Sequence, residues 1–241
     1  MVQTETDRER YIGIGAAEDL IDILGNLKFD APINDIPEKD KNALISTLPF
    51  PKGGKIFIAG STRQTEHNMI LETYKKLSDK IPGLKLILAP RHLDKIDEIK
   101  KQAEKLNISY RLYSDSTTPT SEVDLLLVDK MGILNKLYAV SDIAFVGGTL
   151  ADIGGHNILE PVWSGIPVLY GLSISNVNDS SEYIIENNLG AQVENEDDLY
   201  GKLIRFFEGN LVFKRKADKS EVTSRARKTA QIILSGLKSD G

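Results

Sequence analysis

The chain has 241 residues, 41% of them hydrophobic and 27% charged, enough for one generous globular domain. A formal net charge of −5 removes the simplest support for nucleic-acid binding. The absence of cysteine excludes disulfides, thiolate catalysis and Cys-ligated metal centres. The polar amino terminus lacks the apolar core of a signal peptide, and no apolar run approaches the roughly 18 residues needed to cross a bilayer. A soluble chain is expected, with peripheral membrane contact left open.

In chain order, a helix is expected near residues 6–14, then an apolar stretch at 20–24 that leads into Gly25-Asn26-Leu27-Lys28-Phe29-Asp30. A linker rich in Asp, Pro and Lys follows, to about Lys52. From residue 55 short apolar runs alternate with amphipathic stretches. Strands are expected at 55–60, 84–89, 108–113, 123–128, 142–146 and 166–169, and helices at 65–80, 93–106, 133–140, 157–164, 179–188 and 197–207. A last helix is expected within 214–237. Short strands alternating with helices predict an α/β fold, a Rossmann-like parallel sheet with helices on both faces. Ligands of such sheets bind beyond the carboxyl ends of the strands.

The chemistry-bearing residues gather at those ends. Gly60-Ser61-Thr62, Pro90-Arg91-His92, Lys130-Met131-Gly132 and Gly147-Gly148 are four polar or glycine-rich strand exits. Gly154-Gly155-His156-Asn157-Ile158-Leu159-Glu160 is the richest stretch. Its paired glycines allow close backbone approach, a helix starting at Asn157 would aim free amides at an anion, and Glu160 could accept from ribose hydroxyls. Asn157 and Glu160 also fit a capping box, which needs no ligand. Ser61 and Thr62 suit a phosphate or a sugar carboxylate, or an ordinary helix cap. A guanidinium at Arg91 suits phosphate or nucleotide contact, the alternative being a surface ion pair. Met131-Gly132 offers exposed backbone for a base ring, and Lys28 is either a second cation facing the cleft or a surface lysine. His156 and Glu160, four residues apart, could share a metal, but no third ligand is evident, and neither metal nor cofactor is the default. Trp163, Tyr138 and Phe145 are read as packing.

These segments together resemble the C-terminal, donor-binding half of the bacterial Kdo transferases (3-deoxy-D-manno-octulosonic acid transferases of lipopolysaccharide synthesis). The matching stretches are Gly-Asn-Leu-Lys-Phe-Asp at 25–30, Ile-Ala-Gly-Ser-Thr at 58–62, Leu-Ile-Leu-Ala-Pro-Arg-His at 86–92 and Ala-Phe-Val-Gly-Gly-Thr at 144–149. Gly-Gly-His-Asn-Ile-Leu-Glu-Pro at 154–161 and Gly-Ile-Pro-Val-Leu-Tyr-Gly at 165–171 complete the set. The resemblance implies the C-terminal domain of a GT-B glycosyltransferase that inverts anomeric configuration, with CMP-Kdo as donor, a lipid A precursor as acceptor, and no metal or cofactor. It places Arg91, Met131 and Gly132 at the CMP site, Ser61 and Thr62 facing the donor, and the amides after Gly155 on its phosphate. Gly154, Gly155, His156 and Asn157 form that turn, Glu160 binds the ribose, and Asn178 and Lys28 are further donor contacts. It further implies a cytoplasmic location at the inner face of the inner membrane.

Residues 1–50 are then read as the last helix and strand of an acceptor domain plus a linker, and 51–241 as the nucleotide-sugar-binding domain. The general base is expected in the acceptor domain, which a companion chain would carry, and no residue here is matched to it. Four positions depart from the usual pattern: Arg63 stands where histidine is common, Ile133 where glutamate is common, and Leu172-Ser173 where a proline and an aromatic or histidine are common. Two alternatives stay open, a non-catalytic nucleotide-binding or interaction module and another GT-B enzyme that uses a UDP-sugar.

Overall fold

A computed structural model of the chain describes residues 1–25, 36–51, 53–115, 122–215 and 224–239. It divides into two compact units, one of Met1–Pro32 with Asp218–Gly241, the other Ile33–Ala217. The first unit holds α1 (Glu5–Gly13) and the final helix, α9 (Ser224–Ser239). Thr4 caps α1, its side chain accepting from the backbone N–H of Asp7. No helix among the described residues is long and apolar enough to cross a membrane.

The second unit is built on seven parallel strands in the order β3-β4-β2-β1-β5-β6-β7. They are β1 (Lys55–Thr62), β2 (Leu84–Pro90), β3 (Tyr110–Leu112), β4 (Leu125–Leu127), β5 (Ile143–Val146), β6 (Val168–Tyr170) and β7 (Gly190–Gln192). Alternate residues feed two cores. Phe57, Leu86, Leu88, Leu125, Leu127 and Phe145 pack on one face, and Ile56, Ile58, Ile87, Leu126 and Ala144 on the other. With both faces covered, the strands read as continuous apolar runs.

The helices follow the same logic. Helix α3 (Gln64–Ser78) buries Ile70, Leu71, Tyr74 and Leu77 along one stripe, each aliphatic side chain contributing about 1.5–3 kcal/mol. Helices α4 (Ile96–Lys105) and α8 (Glu196–Phe207) complete that face, and α5 (Leu134–Tyr138) lies on the other. Two further helices are α6 (Leu159–Trp163) and α7 (Asn178–Glu186).

Two elements differ from the sequence expectation. The supposed linker contains α2 (Glu38–Thr47), which starts directly after Pro37, and Leu48 and Phe50 beyond it enter the second core. Strand β7 has no apolar run of its own and is defined by pairing with β6, where Gly190 lies so close to Val168 that a Cβ would overlap its carbonyl. Trp163, Tyr138 and Phe145 are buried in the interior.

The chain order reverses across β1: β2 lies on one side of it and β5 on the other. That is a topological switch point, where open parallel sheets leave a crevice beyond their carboxyl ends.

Candidate functional site

At the end of β1 the backbone departs from regular pairing. The register with β2 shifts between Gly60 and Thr62, and Ser61 adopts a left-handed φ of 54°. A non-glycine residue in that region is strained, and such strain concentrates at functional sites. Gly60 must be glycine because a Cβ there would overlap the Tyr138 hydroxyl. Tyr138 is fully buried, and burial with the nearby Glu160 carboxylate pushes its phenol well above the usual range.

Five of the expected residues converge. Ser61, Arg91, Met131, Gly132 and Glu160 line one cavity of about 250 Å³, together with Lys130 and Asn135. It lies at the carboxyl ends of β1, β2 and β4. Burial raises the Glu160 carboxyl above its ordinary value, opposed by a hydrogen bond from Asn157 and by the Arg91 charge. Thr62 is not exposed beside Ser61 but buried, and its Oγ1 has no hydrogen-bond partner. Asn178 is exposed at the start of α7 and is not among the residues lining this cavity. Lys28 lies outside the described residues.

The glycine-rich turn is built differently from the expectation. Helix α6 begins at Leu159 rather than Asn157 and has five residues, so its dipole is small. Asn157 accepts from Leu159 N–H at 3.2 Å, and its amide contacts the Glu160 carboxylate at 3.4 Å, so the two side chains bind each other instead of closing a reciprocal capping box.

The amides of the turn are largely spoken for. The buried Glu66 carboxylate, on α3, accepts from Gly148 N–H at 2.8 and 2.9 Å, from Leu150 at 3.1 Å and from Ala151 at 3.3 Å. It also accepts from Arg63 N–H at 2.8 Å. The upstream half of the turn is thus an anion nest filled by the protein's own carboxylate. Gly147 fits only without a side chain, since a Cβ would overlap the backbone of Thr62. Gly154 N–H donates to Ser173 Oγ and Gly155 N–H to the Gly148 carbonyl. The next two amides, of His156 and Asn157, make no hydrogen bond to any described residue.

Arg63, one of the residues that depart from the usual pattern, has a defined place. Its Nε donates to His156 Nε2 at 3.2 Å, and its Nη1 lies 2.6 Å from His92 Nε2. A guanidinium has no acceptor, so His156 presents a lone pair at Nε2 and carries its proton on Nδ1. Burial lowers the His156 pKa, and the charges of Arg63 and Arg91 lower it further. Sequence reasoning missed Glu66 and the bridging role of Arg63. Nothing in the spacing Arg63-x-x-Glu66 points to Gly148.

These shifts give a signed expectation for stability. His67 and His156 are both held below the ordinary histidine value of 6.5. Each therefore contributes stability above about pH 6.5, lost as pH falls through the folded-state value. Glu160 has the opposite sign: raised above 4.5, it contributes stability at low pH that fades as pH rises through its folded value. Calorimetric melting between about pH 7 and pH 5 is expected to show a falling Tm that His67→Gln flattens. A Tm that rises over that interval contradicts this account.

Among the described residues no group of three or more histidine, aspartate or glutamate side chains is placed to hold a metal ion. No family model matches the chain. It is 36% identical over 203 residues to the 3-deoxy-D-manno-octulosonic acid transferase of Aquifex aeolicus, covering 84% of this chain and 52% of that protein. It is 40% identical over 199 residues to a bifunctional glycosyltransferase/methyltransferase of Fusobacterium nucleatum, covering 82% of this chain and 30% of that protein. The chain thus spans about half, or less, of the length of these relatives. Its fold matches the C-terminal CMP-Kdo-binding domain of WaaA from Acinetobacter baumannii with a TM-score of 0.63, at 24% identity, covering 86% of this chain and all of that one. Over most of its length the chain is thus similar to about half of a Kdo transferase, and it is folded as the C-terminal domain of a GT-B glycosyltransferase.

Proposed function

We propose that this chain supplies the donor-binding half of a Kdo transferase, which moves Kdo from CMP-Kdo to a lipid A precursor. The observation that carries this reading is the convergence of Ser61, Arg91, Lys130, Met131, Gly132 and Glu160 on one cavity at the switch-point end of the sheet. Arg91 and Lys130 supply positive charge, Glu160 an acceptor for ribose hydroxyls, and Met131-Gly132 an exposed backbone against which a base can lie. The amides of His156 and Asn157 are the donors left for the phosphate. Lys28 and Asn178 are proposed as outer donor contacts.

In the proposed reaction a base from an acceptor domain removes the proton of the acceptor hydroxyl. That oxygen attacks the anomeric carbon of Kdo, the bond to the CMP phosphate breaks, and configuration inverts. Arg91, Lys130 and the free amides stabilise the charge that develops on the departing CMP. This is electrostatic preorganisation in a site that needs no bound metal. Residues 1–50 are proposed as part of an acceptor domain and its linker, 51–241 as the donor domain, and the inner face of the inner membrane as the place of action.

The test is calorimetry of the folded chain with CMP and with UDP. Binding of CMP in preference to UDP is expected. Preference for UDP would favour a UDP-sugar enzyme, and a folded chain that binds no CMP would sink the proposal. CMP binding without turnover, even with an acceptor-domain partner added, would favour a non-catalytic module.

A further inference from the structure

Arg63 ties together two strand exits. It stands between β1 and α3, and its guanidinium reaches His156 in the glycine-rich turn and His92 after β2. Both side-chain hydrogen bonds go to imidazoles, not to a carboxylate. An imidazole accepts only at an unprotonated nitrogen, so each ring presents a lone pair at Nε2 and carries its proton on Nδ1. Histidine, common at position 63, both donates and accepts and would impose no such choice. The guanidinium only donates.

The His156 ring is placed with little freedom. A Cβ on Gly148 would stand 2.9 Å from its Cδ2 and 3.1 Å from its Nε2, so the far edge of the ring rests on that glycine. Packing of this kind does not distinguish the ring from its flipped orientation. The bond from Arg63 Nε does. Burial and the charges of Arg63, Arg91 and His92 keep the ring neutral, against the pull of the Glu66 carboxylate. His156 Nδ1 makes no hydrogen bond to any described residue, and neither do the amides of His156 and Asn157. The turn therefore keeps a side-chain donor beside its free amides. Neither Arg63 nor His156 lines the cavity of Ser61, Arg91 and Glu160, so the pair acts on the turn and not on a base or ribose.

We infer that Arg63 is a positioning residue for the nucleotide phosphate: it locks His156 as the Nδ1–H tautomer, and the ring then donates to the phosphate alongside the free amides of the turn. The inference rests on the nucleotide-sugar reading above and adds what sets the donor state of the turn. Arg63 acts through His156, as outer hydrogen bonds fix the tautomer of a working histidine elsewhere.

The test uses the full 241-residue chain, which has three histidines whose ring nitrogens can be assigned by NMR. In the free protein His156 is expected as the Nδ1–H tautomer. Arg63→Met is expected to move it wholly or partly to Nε2–H, and Arg63→Lys, still a pure donor, to keep it on Nδ1. Calorimetry of Arg63→Met is expected to show CMP binding weakened about tenfold and cytidine binding unchanged, with Arg63→Lys recovering most of the loss. A merely structural role would move CMP and cytidine alike, and that result overturns the inference. So does an Nε2–H His156 in the unaltered chain, a reading that stands even if Arg63→Met does not fold. A chain that shows the Nδ1–H tautomer but binds no CMP would sink the nucleotide reading, and the phosphate role with it, while the lock by Arg63 would be seen in the spectrum.

Discussion

Replacing Arg91 with alanine is expected to weaken CMP binding about a hundredfold, ~2.7 kcal/mol, with little change in Tm. Arg91 is exposed at the end of β2, so its removal takes away no packing, and surface changes of that kind usually alter stability by less than about 0.5 kcal/mol. Its charge reaches both Glu160 and His156. Without it the Glu160 carboxyl is expected to rise further and the His156 ring to be less depressed, so the pH profile of CMP binding changes as well as its strength. Arg91→Lys should recover part of the loss, because lysine keeps the charge but not the planar fork. Titration calorimetry of the three proteins across pH is the measurement. An unchanged CMP affinity in Arg91→Ala would remove Arg91 from the site.

Glu66→Gln is expected to destabilise the fold by on the order of 3 kcal/mol and to lower Tm by roughly 10 °C. The carboxylate is 2% exposed and receives backbone N–H groups from Arg63, Gly148, Leu150 and Ala151. Glutamine offers one acceptor oxygen, and its amide group would face donors. The turn that Glu66 anchors also carries His156 through Gly155 N–H on the Gly148 carbonyl, so CMP affinity should fall with stability. Differential scanning calorimetry reads the first effect and titration the second. A Tm unchanged within a degree or two would mean that Glu66 does not organise the turn.

The fold was legible where burial imposes a pattern. Strands β1 and β2 are buried on both faces, so their residues form apolar runs that no surface segment would show. Helix α3 carries its core stripe in plain sight. Strand β7 was illegible because Gly190, Ala191 and Gln192 are selected by a close neighbour, not by burial of large side chains. Helix α2 was masked by the Asp, Pro and Lys that make a linker composition, and only the packing of Leu48 and Phe50 beyond it ties it to the core.

The candidate site divides in the same way. The sequence by itself determined that polar and glycine-rich residues cluster at strand exits, because chain order in a parallel sheet brings every such exit to one edge. It also determined the likeness to the Kdo transferases, carried by ordered motifs. Only the tertiary structure decided that Ser61 meets a cavity while Thr62 is buried, since a bulge and one left-handed residue send adjacent side chains to different places. It decided, too, that half of the glycine-rich turn is occupied by Glu66, 82 residues away from Gly148. Amides in a turn are equally available in the sequence, and which of them remain free for a ligand depends on which acceptors the rest of the chain folds against them.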